Sequence, residues 1–387
     1  MKSKILILFF FLFSILNFSQ SKLLGEGSIK QKSYNEIIPF EIERGNIIIQ
    51  VQIEEKIYRF LFDTGAPNLL NTDKFTNRVS AGNLMTSDSN SKGQTLSLTK
   101  VPSFKLANLT FENFYFLKYE FSKNFVFNCL NLDGIIGSNS FKNSVVKIDF
   151  QQKKLYVTDN IKNLNIRAKG NKMKLFGHQK LPFLELTMKG TNTVKEDVLF
   201  DTGYSKLYTQ SNRAFATFSK EKVLENIITK KAKLSVGLFG TDQESNKSIF
   251  TIPNFQIGES NLQNVVAFTS NDENSKIGNE ILKFGKLTLD FIKSKFYFET
   301  TDFKQNTNLE KNYPLFVPSY ENGKLIVGMI ISENLNSVLK IGDVITSIDD
   351  KKINHQDCEE VLNFQFPTEK MQINNDKNEI LIKNYRQ

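Results

Sequence analysis

Tryptophan is absent from this 387-residue chain, and only two cysteines and two histidines occur. An exported protein could join Cys129 and Cys358, but two cysteines so far apart do not make a disulfide framework. We read both as small buried apolar residues. His178 and His355 lack the neighbours of a metal centre or of a nucleophilic triad, so we place both on the surface and expect no metal and no cofactor. Beyond residue 18 no apolar run is long enough to span a bilayer. A basic stripe is also missing. The net charge is +9, but Lys alternates with Glu and Asp throughout, so no nucleic-acid partner is expected.

The first twenty residues have the grammar of an export signal. Lys2 and Lys4 form a basic start, Ile5 to Phe18 is mostly apolar, and Ser19-Gln20-Ser21 is a small, polar exit. Fourteen mostly apolar residues are short for a membrane span. The expectation is an exported protein, periplasmic or secreted, with residues 1–20 removed.

The strongest signal is a sequence that occurs twice. Residues 60–66 read Phe-Leu-Phe-Asp-Thr-Gly-Ala, and residues 198–203 read Val-Leu-Phe-Asp-Thr-Gly. Each follows a strand-like apolar run and sets one carboxylate, Asp63 or Asp201, at its end. The repeat extends further. Pro102-Ser103-Phe104 precedes Phe111 as Pro253-Asn254-Phe255 precedes Leu262. Gly137 leads to Asp149-Phe150, and Gly278 leads to Asp290-Phe291, over equal distances. From Asp63 to Gly137 is 74 residues, and from Asp201 to Gly278 is 77. Fixed order at near-fixed spacing indicates a duplicated unit of domain size.

Paired acids suggest a definite chemistry. Two carboxylates forced together cannot both ionise cheaply, so one keeps a proton and the pair is acid and base at once. The charged member can take a proton from water while the other donates to a carbonyl oxygen. Thr64 and Thr202 can tie the two loops together by their hydroxyls. Gly65 and Gly203 let the backbone turn and approach closely. Asp149 and Asp290 also repeat, but each sits between apolar residues before a Lys-bearing turn, and we read them as structural.

Around these acids the pattern is mostly strand. Asn46–Ile53 and Lys56–Phe62 flank the acidic turn Glu54-Glu55, and Leu181–Thr187 and Asp197–Phe200 repeat them. Ser80–Gln94 and Gly237–Ser248 are rich in small polar residues, and the glycine-bearing parts Gly82–Gly93 and Gly237–Gly240 match no phosphate-binding loop. We read them as mobile flaps over a cleft. Residues 159–172 suit a linker. A second polar stretch, Thr300–Asn312, sets apart a third region with strands at Lys324–Ile331 and Asn378–Lys383 and a helix from His355 to Phe364.

The two halves resemble the aspartic protease superfamily that includes pepsin and the retroviral proteases. Asn46–Leu70 is most similar to the retroviral type, and Asp133-Gly134-Ile135-Ile136-Gly137 is similar to the family's element beneath the catalytic loop. Lys276-Ile277-Gly278 is its weaker counterpart. Residues 313–387 resemble a PDZ domain through Lys340-Ile341-Gly342-Asp343-Val344-Ile345. The resemblance implies a mainly β chain of two tandem aspartic-protease-type β-barrel lobes, 32–158 and 173–299, then a small α+β PDZ-like domain over 313–387. It implies catalytic Asp63 and Asp201, supporting loop residues Thr64, Gly65, Ala66, Thr202 and Gly203, and Gly137 and Gly278 beneath them. The sequence departs from the family at Tyr204, where a small residue is usual, and in the missing Asp-Gly before Ile277-Gly278. It also has no clear carboxylate-binding loop in the PDZ-like region.

The activity implied is peptide-bond hydrolysis, with a protein or peptide substrate and a possible peptide ligand for the PDZ-like region. A non-catalytic peptide-binding adaptor is the alternative. A third arrangement, in which each half pairs with a second chain, is disfavoured by the tandem repeat.

Overall fold

The computed structural model describes residues 21–300 apart from 235, then 306–309, 313–348, 351–355, 357, 358, 361, 370–375 and 378–383. The expected export signal lies outside the described residues, as does most of the helix expected from His355 to Phe364. The chain is mainly β.

The two halves repeat one set of strand pairings. In the first, Asn46–Ile53 and Lys56–Asp63 form a hairpin whose turn residues Glu54 and Glu55 both take positive φ, 50° and 67°. That is the turn geometry whose twist suits two-residue hairpins. Phe60, Leu61 and Phe62 are buried on both faces because Lys56–Asp63 is central, with Gly134–Gly137 parallel on its other side. Leu69–Asn71 pairs antiparallel with that same strand and parallel with Leu109–Tyr119. The second half does the same. Leu181–Lys189 and Thr193–Phe200 form the hairpin, Lys276–Ile277 runs parallel beside it, and Tyr208–Ser211 pairs with Lys276–Ile277 and with Ser260–Ser270.

A six-strand antiparallel ribbon joins the halves. Its order is Asn35–Glu43, Lys154–Thr158, Val145–Asp149, Gly285–Asp290, Lys295–Thr300 and Asn171–Phe176. The two central strands come one from each half. Asp149 and Asp290 end them and are buried. Asp149 accepts from the Gln152 amide and pairs with Lys286, and Asp290 accepts from the Ile292 and Lys293 amides. They shape turns, as capping carboxylates do.

Each half also carries a long hairpin. Ser80–Ser87 pairs with Gly93–Leu106, and Glu225–Ala232 with Ser245–Ile257. So the Ser80–Gln94 stretch is mostly strand, with a tip at 88–92. A helix at Asn212–Lys220 was not foreseen. Only Ala214 and Phe218 of its residues are buried, which leaves a weak apolar pattern, and the Ser211 hydroxyl caps it by accepting from Ala214 N–H at 3.3 Å.

Three sequence expectations need correction. Cys129 and Cys358 are joined in a disulfide, with Cα atoms 5.4 Å apart across 229 residues of sequence. Spacing along a chain carries no information about that proximity. Within the polar stretch expected to be a linker, the described Asn306–Asn308 is not free but runs parallel to Ser260–Ser270. The third region is also attached to the second half. Met329 faces Ala232 across an antiparallel pairing, the Lys233 amide donates to the Gly328 carbonyl at 2.8 Å, and Lys233 pairs with Glu321. Ala232, Ile249, Met329 and Ile331 share one buried cluster. Lastly, His178 is exposed, but His355 is half-buried. Its Nδ1 accepts from Leu325 N–H at 3.5 Å, and burial, with Lys324 nearby, pushes it down.

Candidate active site

Asp63 and Asp201 end equivalent strands and meet where the halves touch. The threonine after each crosses to the other half. Thr64 Oγ1 donates to the Phe200 carbonyl at 2.6 Å and accepts from Thr202 N–H at 3.1 Å. Thr202 Oγ1 donates to the Phe62 carbonyl at 2.7 Å and accepts from Thr64 N–H at 2.9 Å. Four buried hydrogen bonds therefore hold two loops 138 residues apart in sequence in a reciprocal arrangement.

The glycines complete it. Gly65 N–H donates to Asp63 Oδ1 at 2.8 Å, and Gly203 N–H to Asp201 Oδ1 at 3.0 Å. A Cβ on Gly65 would run into the Asp201 carboxylate, and one on Gly203 into that of Asp63. Each acid thus lies over the opposite glycine. Gly137 and Gly278 sit beneath, where a side chain would strike the carbonyl of Ala66 or of Tyr204. Asn68 Oδ1 supports the first loop by accepting from Gly137 N–H at 2.7 Å, and Asn279 Nδ2 the second by donating to the Thr202 carbonyl at 2.6 Å. Neither Asn was singled out from sequence.

The two acids are not equivalent. Asp63 keeps some exposed surface yet is densely surrounded, and its pKa is pushed well up. Burial is the main cause, followed by the charge of Asp201 and a hydrogen bond between the two carboxyls. Asp201 has a cation instead. Lys276 Nζ lies 3.1 Å from Asp201 Oδ2 and 2.8 Å from Asp272 Oδ2, and the lysine side chain is 13% exposed. Burial alone would push its pKa down, but the two carboxylates outweigh that and raise it. The repeat held the signal for this residue: Lys276 stands where the first half has Ile135.

Tyr204 follows the second loop as Ala66 follows the first. Its ring lies against Gly278, and its carbonyl accepts from Asn279 N–H at 2.8 Å. Burial raises its phenol, which therefore stays neutral.

The halves meet again at the tips of the long hairpins. Asp88 Oδ2 accepts from Phe239 N–H at 2.8 Å, Asn90 Nδ2 donates to the Gly240 carbonyl at 2.9 Å, and Lys92 Nζ to the Thr241 carbonyl at 2.5 Å. Behind them Tyr119 donates to the Leu238 carbonyl at 2.9 Å, and Asn124 Nδ2 to those of Gly237 and Leu238. Leu238 and Phe239 pack against an apolar cluster of the first half that includes Leu69, Tyr119 and Ile135. Among the described residues no group of three or more His, Cys, Asp or Glu could hold a metal ion.

No family model matches this chain, and a search of curated proteins finds no match. Among solved structures it is similar to conglutin gamma, a basic 7S globulin from lupine seeds, at 9% identity over 69% of this chain and 95% of that one, with a TM-score of 0.41.

Proposed function

We propose that this protein is an exported aspartic endopeptidase. In this reading residues 32–158 and 173–299 are tandem lobes of the aspartic protease type, Asp63 and Asp201 are the catalytic dyad, and 313–387 is a PDZ-like domain built against the second lobe. The observation that carries it is the reciprocal Thr64–Thr202 grip, with each carboxylate resting over the opposite loop's glycine. The Cys129–Cys358 disulfide supports export, since such bonds persist in oxidising compartments.

The chemistry follows from the proton count. Water bound between the acids gives a proton to the ionised carboxylate as its oxygen attacks the peptide carbonyl carbon. The protonated carboxyl gives its proton to the carbonyl oxygen, forming a tetrahedral diol. On collapse the C–N bond breaks as the carboxyl that took the water proton gives it to the leaving amine, and a diol hydroxyl returns its proton to the other carboxylate, which restores the singly protonated pair. The hairpin tips would close over the bound peptide and must part to admit it.

The test is cleavage of an unfolded protein from acid to neutral pH, with and without pepstatin. Asp63→Asn and Asp201→Asn should each lower the rate roughly 10²–10⁴-fold with the fold intact. Cleavage unaffected by either change would remove the proposal. The second reading, a peptide-binding adaptor without turnover, draws on the ammonium of Lys276 beside Asp201. It predicts peptide binding with no cleavage at any pH.

A further inference from the structure

The dyad is built from a repeat, yet its surroundings are not symmetric. In the first half Ile135 stands beside Leu61 on one strand and Leu69 on another, and all three are buried in one apolar cluster. In the second half the same register places Lys276 beside Leu199 and Thr209. A largely enclosed lysine replaces a buried isoleucine, and its ammonium contacts one member of the dyad and not the other. A lone ammonium in this position would be costly, and Asp272 at 2.8 Å offsets that cost. Asp272 follows the strand Ser260–Ser270, so the second half brings both charges of the pair on its own elements.

We propose that Lys276 is a positioning residue for the proton of the dyad: it makes Asp201 the member that stays ionised and so assigns the shared proton to Asp63. The proposal rests on the protease reading above. Between two equivalent acids a proton has two equivalent sites. A cation 3.1 Å from one Asp201 oxygen removes that equivalence, because it stabilises negative charge there. Asp201 then is the base that takes the proton from water, and Asp63 is the acid that serves the carbonyl oxygen. Burial and then Asp201 raise the pKa of Asp63, and they outweigh the lowering that Lys276 exerts there, so Asp63 is the member that holds the proton more readily. The charged and titratable groups around the ammonium are Asp201, Asp272 and the neutral Tyr204 phenol, with Glu280 acting on the phenol and Asp63 facing from the first half. Lys276 is the cation among them that contacts the dyad.

The cation also sets the working range. It opposes protonation of the singly charged dyad, so the active form persists to lower pH than in a pair without it. Lys276→Met removes the charge at similar length. Its pH–rate profile on an unfolded protein should keep its bell shape and move upward by about one to three pH units. Lys276→Arg should stay close to wild type. Asp272→Asn, which leaves the ammonium to Asp201 alone, should move the profile downward and covers the case in which Lys276→Met does not fold. A Lys276→Met profile that superimposes on wild type, with an unchanged fold by circular dichroism, would overturn the proposal. So would an unmoved Asp272→Asn profile. If the wild type cleaves nothing at any pH, it is the protease reading that fails. The lysine assignment is then read from the carboxyl carbon titration of the dyad, identified by its loss in Asp63→Asn and Asp201→Asn. The first apparent ionisation should rise in Lys276→Met, and an unshifted one would sink the assignment.

Discussion

At the scale of single residues, the dyad is held by side chains that each serve twice. Thr202 Oγ1 accepts from one backbone group of the first half and donates to another, and Thr64 Oγ1 does the same in return. Serine could reproduce this, but valine would leave buried amides and carbonyls without partners, at about 1–3 kcal/mol each. Asp63 carries the opposite kind of effect. Its pKa is raised in the folded protein, chiefly by burial and then by Asp201. The folded state therefore binds more proton than the unfolded chain at pH values above the ordinary carboxylate range, and stability falls as pH rises through that interval. Asp63→Asn removes this dependence. It should melt higher than wild type at pH 7, and the advantage should vanish below about pH 4, where both chains are neutral at this position. Melting curves across that range decide it, and a variant less stable at every pH would show that the carboxylate's bond from Gly65 N–H outweighs the cost of its burial.

At the scale of elements, the two long hairpins are the parts that must move if a peptide is to reach the acids. Their tips are joined by side chains rather than by a continuous ladder. Tyr119 is the simplest place to loosen them. Tyr119→Phe deletes the bond to the Leu238 carbonyl and keeps the edge-on contact of its ring with Phe239, whose centroid is 5.6 Å away. One neutral hydrogen bond is worth about 0.5–1.5 kcal/mol. Hydrogen exchange in a peptide spanning residues 236–241 should quicken about two- to tenfold, with the ribbon strands Val145–Asp149 and Gly285–Asp290 unaffected. Equal acceleration in both places would mean that the tips open only by global unfolding.

At the scale of the whole molecule, the third region is tied to both halves. The Cys129–Cys358 bond reaches the short helix Phe125–Cys129 of the first half, and Arg44 of that half donates to the Cys358 carbonyl at 3.3 Å. Met329 and Ile331 cover Ala232 and Ile249 of the second half. A polar connecting stretch suggested a separable module, but removal would expose that apolar cluster. Cys358→Ser should lower stability by about 2–5 kcal/mol, as loss of a bond closing a long loop does. Reductant added to the wild type should lower the melting midpoint likewise. An unchanged midpoint would mean that the strand and cluster contacts alone hold the region.

The repeat is written in the order of the residues, and with it most of what the site contains. Asp63-Thr64-Gly65 and Asp201-Thr202-Gly203 were legible because each is local: a strand of alternating or continuous apolar residues, an acid at its end, then a residue without a Cβ. Strands such as Asn46–Ile53 and Asn378–Lys383 were legible for the same reason, since period and turn residues act over a few positions. Other features depend on distance through space and follow from the folded chain alone. Cys129 and Cys358 are partners because two regions dock, and no spacing announces that. Lys276 was visible as a letter in the place of Ile135, but whether its ammonium faced water, Asp272 or the dyad depended on how the strand Lys276–Ile277 lies beside Thr193–Phe200. Propensity is a property of a few adjacent residues. Electrostatics is a property of whatever the fold brings within a few ångströms.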